Sequence, residues 1–413
     1  LPYSVNLQSF LCYTAVLVTF NLHIAHQSGD FHKKIMNSPS PQLHWIENDE
    51  PRSCRWHAEN GAPPPKRVQI ADDRMNTETA YKLACEGTAL LWRGDFHNGK
   101  QLLQSLARRI DKKPASKKAK IPTSASEAFH LYRQAQSQRA RVLAMVLIPF
   151  EADYGISLRR APDVRLACTE VYGPPSDAFV ASLRELLGLI GAHEWRKNGV
   201  AIKALDAKIH PYYGVFSPVR GEYIDLVAKA PLPSTELAFD IGVGTGVLSA
   251  ILAKRGVKKI VATDQDKRAL ACANENLQTL GFLNQVTLQE TDLFPEGRAP
   301  LVVCNPPWVP ARPNSPIEYA VYDPDSQMLK RFLAGVAEHL APHGEAWLIM
   351  SDFAQHLGLR SSEEFFSWID AGGLTVIGKM DIKPQHAKST DATDPLHAAR
   401  VKEVTSLWRL KLK

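Results

Sequence analysis

One run constrains the fold of this chain more than any other. Leu237 to Leu248 read L-A-F-D-I-G-V-G-T-G-V-L. An apolar strand ends at Asp240, three alternate glycines follow, and an apolar helix begins. Gly242, Gly244 and Gly246 leave out side chains where a ligand must approach the backbone. The helix that follows presents free N–H groups. The next apolar run, K-K-I-V-A-T-D, places Asp264 at the end of a second strand, where a carboxylate can hold both hydroxyls of a ribose. The competing reading is a tight turn that needs glycine for geometry alone.

The glycine run sits in a regular alternation. Strands are expected at 236–241, 259–263, 285–289, 301–304 and 345–350, and helices at 247–255, 268–280 and 325–340. Such an order implies a parallel sheet with helices on both faces, an α/β Rossmann-like sheet. Two more strands, 374–380 and 403–412, follow with no clear helix between them. Parallel pairing needs a longer crossover, so they are expected to pair antiparallel.

Two ligand classes use this layout. Dinucleotide enzymes carry G-x-G-x-x-G, whose third glycine packs helix on strand. Here the spacing is G-x-G-x-G, and Val247 stands where that glycine belongs. Asp240 would repel a pyrophosphate and suits a cationic ligand. S-adenosylmethionine, with a sulfonium and an ammonium, is such a ligand.

A second feature is the abrupt end of the run Leu301-Val302-Val303 in C-N-P-P-W-V, residues 304–309. Proline cannot donate to a ladder, so the strand stops there. A rigid loop bearing an amide and an aromatic ring results.

Together, Asp240 to Gly246, Asp264 and Asn305 to Trp308 resemble class I S-adenosylmethionine-dependent methyltransferases. The branch is the small-domain group with an N-P-P-aromatic loop, which includes release-factor glutamine and ribosomal-RNA guanine methyltransferases. The resemblance covers residues 209–350, and extends less closely to the C-terminus. It implies a seven-stranded sheet with an antiparallel last strand. It also implies that Asp240, Gly242, Gly244 and Gly246 line the methionine end of the cofactor. Asp264 would bind the ribose, and Asp292 would meet the adenine amino group. The segment G-V-F-S-P-V-R-G-E, residues 214–222, would pack over the cofactor through Phe216 and Arg220. The family more often has tyrosine where Trp308 stands.

The loop chemistry points to nitrogen as the acceptor atom. An amide or exocyclic amino nitrogen is a poor nucleophile because its lone pair is delocalised. The Asn305 side-chain carbonyl and the Pro306 backbone carbonyl can each accept one of its N–H groups. They would orient it, favour pyramidal geometry and stabilise the growing positive charge. Trp308 can stack on a flat amide or base. The bland alternative is a rigid turn with a packed tryptophan. Arg312, Tyr319 and Tyr322, in the loop 310–324, are expected to border the substrate opening.

The remainder is less specific. The 413 residues, 45% hydrophobic and 22% charged, favour two domains plus tails. Residues 1–74 read as a disordered or non-native extension, 75–208 as a mostly helical substrate-recognition domain, and 209–413 as the methyltransferase domain. Helices are expected at 77–93, at 98–110, from Ser124 to near Pro149, and at 176–194. Short strands and turns are expected at 156–172 and a hairpin at 200–215. The chain starts at Leu1. Either Met36 or Met75 is the working start, or Leu1 is an alternative start codon translated literally. The apolar run 10–20 is too short to span a bilayer.

Six scattered cysteines without a C-x-x-C pair suggest a reducing, cytoplasmic setting and no metal site. A net charge of +6 and the lysine-rich stretch 112–120 are compatible with a nucleic-acid partner and equally with a solvated surface. His386 and His397 frame a polar stretch that can act as a lid. The expected function is methyl transfer to nitrogen of a macromolecule, either a protein glutamine or a nucleic-acid base. No membrane partner is expected. A nicotinamide-dependent oxidoreductase and a non-catalytic cofactor-binding protein are the alternatives.

Overall fold

The computed structural model describes residues 41–112, 122–219, 221–313, 316–385 and 391–413. The chain divides into two compact units, residues 1–120 with 133–193, and 121–132 with 194–413.

The first unit is built from β1 (Gln42–Glu47), β2 (Glu50–Trp56), β3 (Arg67–Ala71), α1 (Thr77–Cys85), β4 (Thr88–Trp92) and α2 (Phe96–Asp111). After them come α3 (Ala125–Leu143), β5 (Val146–Phe150), α4 (Arg165–Tyr172), β6 (Phe179–Ser182) and α5 (Leu183–Asn198). The division between the units falls within α3 and α5. Six strands form one mixed sheet in the order β1-β2-β6-β5-β4-β3.

This corrects three expectations. The unit is not mostly helical. Residues 42–71 are not a disordered extension but supply half of its strands, while residues 1–40 lie outside the described residues. Asn48 and Asp49 both adopt positive φ, 55° and 62°, the conformation of a two-residue hairpin turn. The segments read as long helices at 77–93, from Ser124 to Pro149 and at 176–194 each contain a strand, and the expected strands at 156–172 give way to α4. The cause is common to the first set. Thr88–Trp92 is buried at every position, and a continuous apolar run lacks the period that separates strand from helix.

The second unit starts with the short hairpin β7 (Val200–Ile202) and β8 (Ala207–Ile209), as expected. Next come α6 (Glu222–Lys229), β9 (Leu237–Ile241), α7 (Val247–Lys254), β10 (Lys259–Asp264), α8 (Lys267–Thr279), β11 (Val286–Glu290) and β12 (Ala299–Cys304). The unit ends with α9 (Gln327–His339), β13 (Leu340–Ser351), α10 (Phe353–His356), α11 (Ser362–Ala371), β14 (Leu374–Ile382), α12 (His397–Arg400) and β15 (Thr405–Leu412). The sheet order is β11-β10-β9-β12-β13-β15-β14, and β15 runs antiparallel to both neighbours. This is the seven-stranded sheet with a reversed last strand.

Residues alternate between its two faces, as period 2 requires. Ala238, Val303, Trp347 and Ile349 pack with Ile224, Val227, Leu248, Ile251 and Leu277 of α6–α8. Phe239, Val302, Leu348 and Met350 pack with Leu329, Phe332, Val336, Phe365 and Ile369 of α9 and α11.

The expected lid is also corrected where it is described. Leu396 and Ala399, at the start of and within α12, are buried against Phe353 and Leu357, and Asp394 is paired with Arg400 at 2.7 Å. His386 lies outside the described residues. Among the described residues no helix is long and apolar enough to cross a membrane.

Candidate active site

The chain leaves β9 for β10 and β11 on one side, then crosses to β12 on the other. The carboxyl ends of β9 and β12 therefore flank a crevice at the point where strand order reverses, where open α/β sheets bind ligands. Cys304 is paired with Ile241 in register. The glycine turn thus leaves β9 beside the place where Asn305 leaves β12, one strand spacing away, about 4.8 Å.

Asp240 is 1% exposed. Its Oδ2 accepts from the Ser249 hydroxyl at 2.6 Å, and its Oδ1 is buried without a partner. Burial pushes the carboxyl up to about 6, against the opposing pull of Ser249. Ser249 was not anticipated. The signal available was its isolation as the one polar residue in V-L-S-A-I-L-A, residues 247–253.

The three glycines divide in two. All have positive φ, 78°, 52° and 81° in order. A Cβ at Gly244 would meet nothing within 4 Å, and one at Gly242 only the Met328 terminal methyl at 3.5 Å. These two border open space. A Cβ at Gly246 would press on Ala273 and Leu277 of α8 at 3.3 Å. Gly246 does not line the site. It takes the helix-packing role that dinucleotide folds give to their third glycine, one position earlier in the chain.

Asp264 braces the turn. Its Oδ2 accepts from the Gly244 N–H at 3.1 Å and its Oδ1 from the Asp266 N–H at 3.0 Å. A carboxylate has about four lone-pair positions, so acceptor capacity is left for ribose hydroxyls. Burial raises its pKa. Asp292, just past β11, forms an exposed ion pair with Arg331 of α9 at 2.7 Å. That pairing was not foreseen, and it engages the carboxylate that was expected at the adenine. Phe216 is half-buried against the α6–α8 face of the core. Arg220 lies outside the described residues.

Asn305, Pro306 and Trp308 follow β12 directly. Trp308 does not stand free in the opening. Its ring packs against both faces of the sheet core and against a third cluster containing Phe129, Val309 and Phe353. Its indole N–H donates to the Asn305 side-chain oxygen at 2.9 Å. The spacing of N-P-P-W had not suggested this contact. Cys304 is fully buried, and burial pushes its thiol well up, which makes it an inert core residue. In the loop beyond, Tyr319 is 69% exposed, Arg312 is exposed, and Tyr322 is half-buried. The Asp323 N–H bonds the Val309 carbonyl at 2.9 Å, which folds this loop back onto N-P-P-W-V.

Residues 213–367 match the family model described as methyltransferase small domain. The chain belongs to the S-adenosylmethionine-dependent methyltransferases of this family. A Methanocaldococcus jannaschii protein named as a protein N5-glutamine methyltransferase is 29% identical over 162 residues, 37% of this chain and 79% of that protein. The tRNA1(Val) (adenine(37)-N6)-methyltransferase of Shewanella loihica is 29% identical over 144 residues, 32% of this chain and 59% of that one. The release factor glutamine methyltransferase of Cereibacter sphaeroides is 28% identical over 197 residues, 44% and 66% respectively.

The methyltransferase's own residues fit its cofactor. A buried anion with an unpartnered oxygen suits a cationic methionine head, and open space lies over Gly244. Asp240 and Asp264 would hold the two ends of S-adenosylmethionine. When bound, that group supplies a methyl carbon made electrophilic by the adjoining sulfonium.

Proposed function

We propose that this methyltransferase methylates an amide or exocyclic amino nitrogen of a macromolecule, with Asn305 and Pro306 as the groups that orient the acceptor. The observation that supports this most directly is the register of β9 with β12, which sets N-P-P-W beside the glycine turn. Methyl transfer is an in-line displacement, so donor and acceptor must meet across one crevice. The Asn305 oxygen has two lone pairs. One is taken by Trp308, and the other is available to an N–H of the acceptor. The Pro306 carbonyl would take the second N–H. The two oxygens oppose the nitrogen's delocalisation and balance the charge that develops on it. Trp308 would hold the amide at one angle and flank the acceptor with what its packing leaves uncovered.

The relatives named for glutamine and for adenine N6 methylation share this acceptor chemistry. The test uses radiolabelled cofactor, the full chain and a lysate from cells lacking the protein. Label is expected in nitrogen of the RNA, DNA or protein fraction, and Asn305→Ala should abolish it. Label on oxygen or carbon, or in small molecules alone, would refute the reading.

A further inference from the structure

Arg360, between α10 and α11, is 4% exposed, and its Nε is buried without a hydrogen-bond partner. Two carboxylates face it, those of Asp323 and Glu364. Both spend their oxygens elsewhere. Asp323 accepts from the Met328 and Leu329 N–H groups at 3.0 and 3.1 Å, capping α9. Glu364 accepts from the Ser361 N–H at 2.8 Å in the capping box of α11. Burial pulls the guanidinium down to about 10, and the facing acids only partly restore it. A guanidinium is effectively always charged, and a buried charge without hydrogen bonds is costly. Such a group calls for a ligand or a reason.

Its position suggests the ligand. Leu359 packs in the same cluster as Trp308, Val309 and Tyr322, and Asp323 is tied to Val309. Arg360 therefore stands behind the loop that holds the methyl acceptor. The acceptor nitrogen itself is neutral and needs no cation. A nucleotide, however, always carries a phosphate a few bonds from its base, whereas a glutamine side chain carries no obligatory anion. A planar guanidinium matches a phosphate with paired hydrogen bonds.

We propose that Arg360 is the receptor for a backbone phosphate of a nucleic-acid substrate whose base enters the N-P-P-W loop. This rests on the functional reading above and narrows it to nucleic acid.

The test compares the full-length chain with Arg360→Gln and Arg360→Lys. The probes are a short single-stranded oligoribonucleotide and the same sequence with an uncharged methylphosphonate backbone. Arg360→Gln should weaken binding of the charged oligonucleotide about tenfold or more, and Arg360→Lys should weaken it less. Binding of the uncharged oligonucleotide and of S-adenosylmethionine should not change. Losing an unpaired buried charge should leave the melting temperature equal or higher. A lowered melting temperature with unchanged oligonucleotide affinity would overturn the proposal and make Arg360 a structural partner of Asp323. Label entering only protein in the lysate assay would also overturn it, while leaving nitrogen methylation standing. Absence of any transfer to nitrogen would instead defeat the functional reading.

Discussion

The indole N–H of Trp308 lies 2.9 Å from the side-chain oxygen of Asn305 and donates to it. The bond settles which end of the Asn305 amide is oxygen, because an N–H cannot donate to the NH₂ end. The ring that makes it is locked by packing on three sides. An acceptor built this way is set before substrate arrives, which is the economical arrangement for catalysis.

Trp308→Phe keeps the ring and deletes the donor. Turnover should fall about tenfold, the worth of one positioning hydrogen bond, with cofactor affinity unchanged. Steady-state kinetics beside calorimetric titration of S-adenosylmethionine separate the two. A matching loss of cofactor affinity would contradict the role given to Trp308.

Asn305→Ala removes the oxygen itself. A preorganised group at a developing charge is worth about 10²–10³ in turnover, so single-turnover methyl transfer should slow by that factor. Because Asn305 is outside the glycine turn, the cofactor dissociation constant should stay within about twofold of wild type.

Asp240 gives a prediction in pH. Its folded-state pKa is raised to about 6 by burial, from an ordinary 3.8. The folded chain then binds this proton more tightly than the unfolded chain. Stability of the ligand-free protein should fall as pH rises from about 4 to about 6 and level off above. Asp240→Asn should therefore raise the ligand-free melting temperature at neutral pH, by the equivalent of order 2–3 kcal/mol, and the difference should shrink towards pH 4. Cofactor affinity should move the other way, dropping at least tenfold in the variant and, in wild type, weakening below about pH 6 as the anion is lost. Thermal scans and titrations at several pH values check both signs.

Gly244 and Gly246 should respond differently to alanine. Both substitutions carry the cost of a left-handed backbone, about 1–2 kcal/mol. Gly246→Ala also forces its methyl against Ala273 and Leu277 at 3.3 Å, so it should lose more stability by denaturant melting. Gly244→Ala points into open space and should lose cofactor affinity out of proportion to stability.

The second unit was largely legible in the chain. Each expected strand and helix there appears within a few residues of its place, from β9 to the antiparallel β15. Glycine and proline mark its turns, and amphipathic alternation marks its faces. The first unit was not legible in the same way. Val146–Phe150 and Phe179–Ser182 are short apolar strands buried at nearly every position, each touching a helical pattern with no glycine or proline outside them to separate the two. Residues 42–71 hid their strands beneath a polar, proline-containing composition, although Leu43 is wholly buried.

Within the site, the types of residue were written in the order of the chain: an acid, three glycines, a second acid, then N-P-P-W. These are local requirements of backbone conformation and of a strand's end, so they leave a local trace. Tertiary packing alone decided that Gly246 serves a helix instead of the ligand and that Asp292 meets Arg331. It also decided that Trp308 grips Asn305 and that Arg360 is shut in beside Asp323. Those outcomes depend on which surfaces meet when distant segments fold together, and no spacing along one segment encodes what another will press against it.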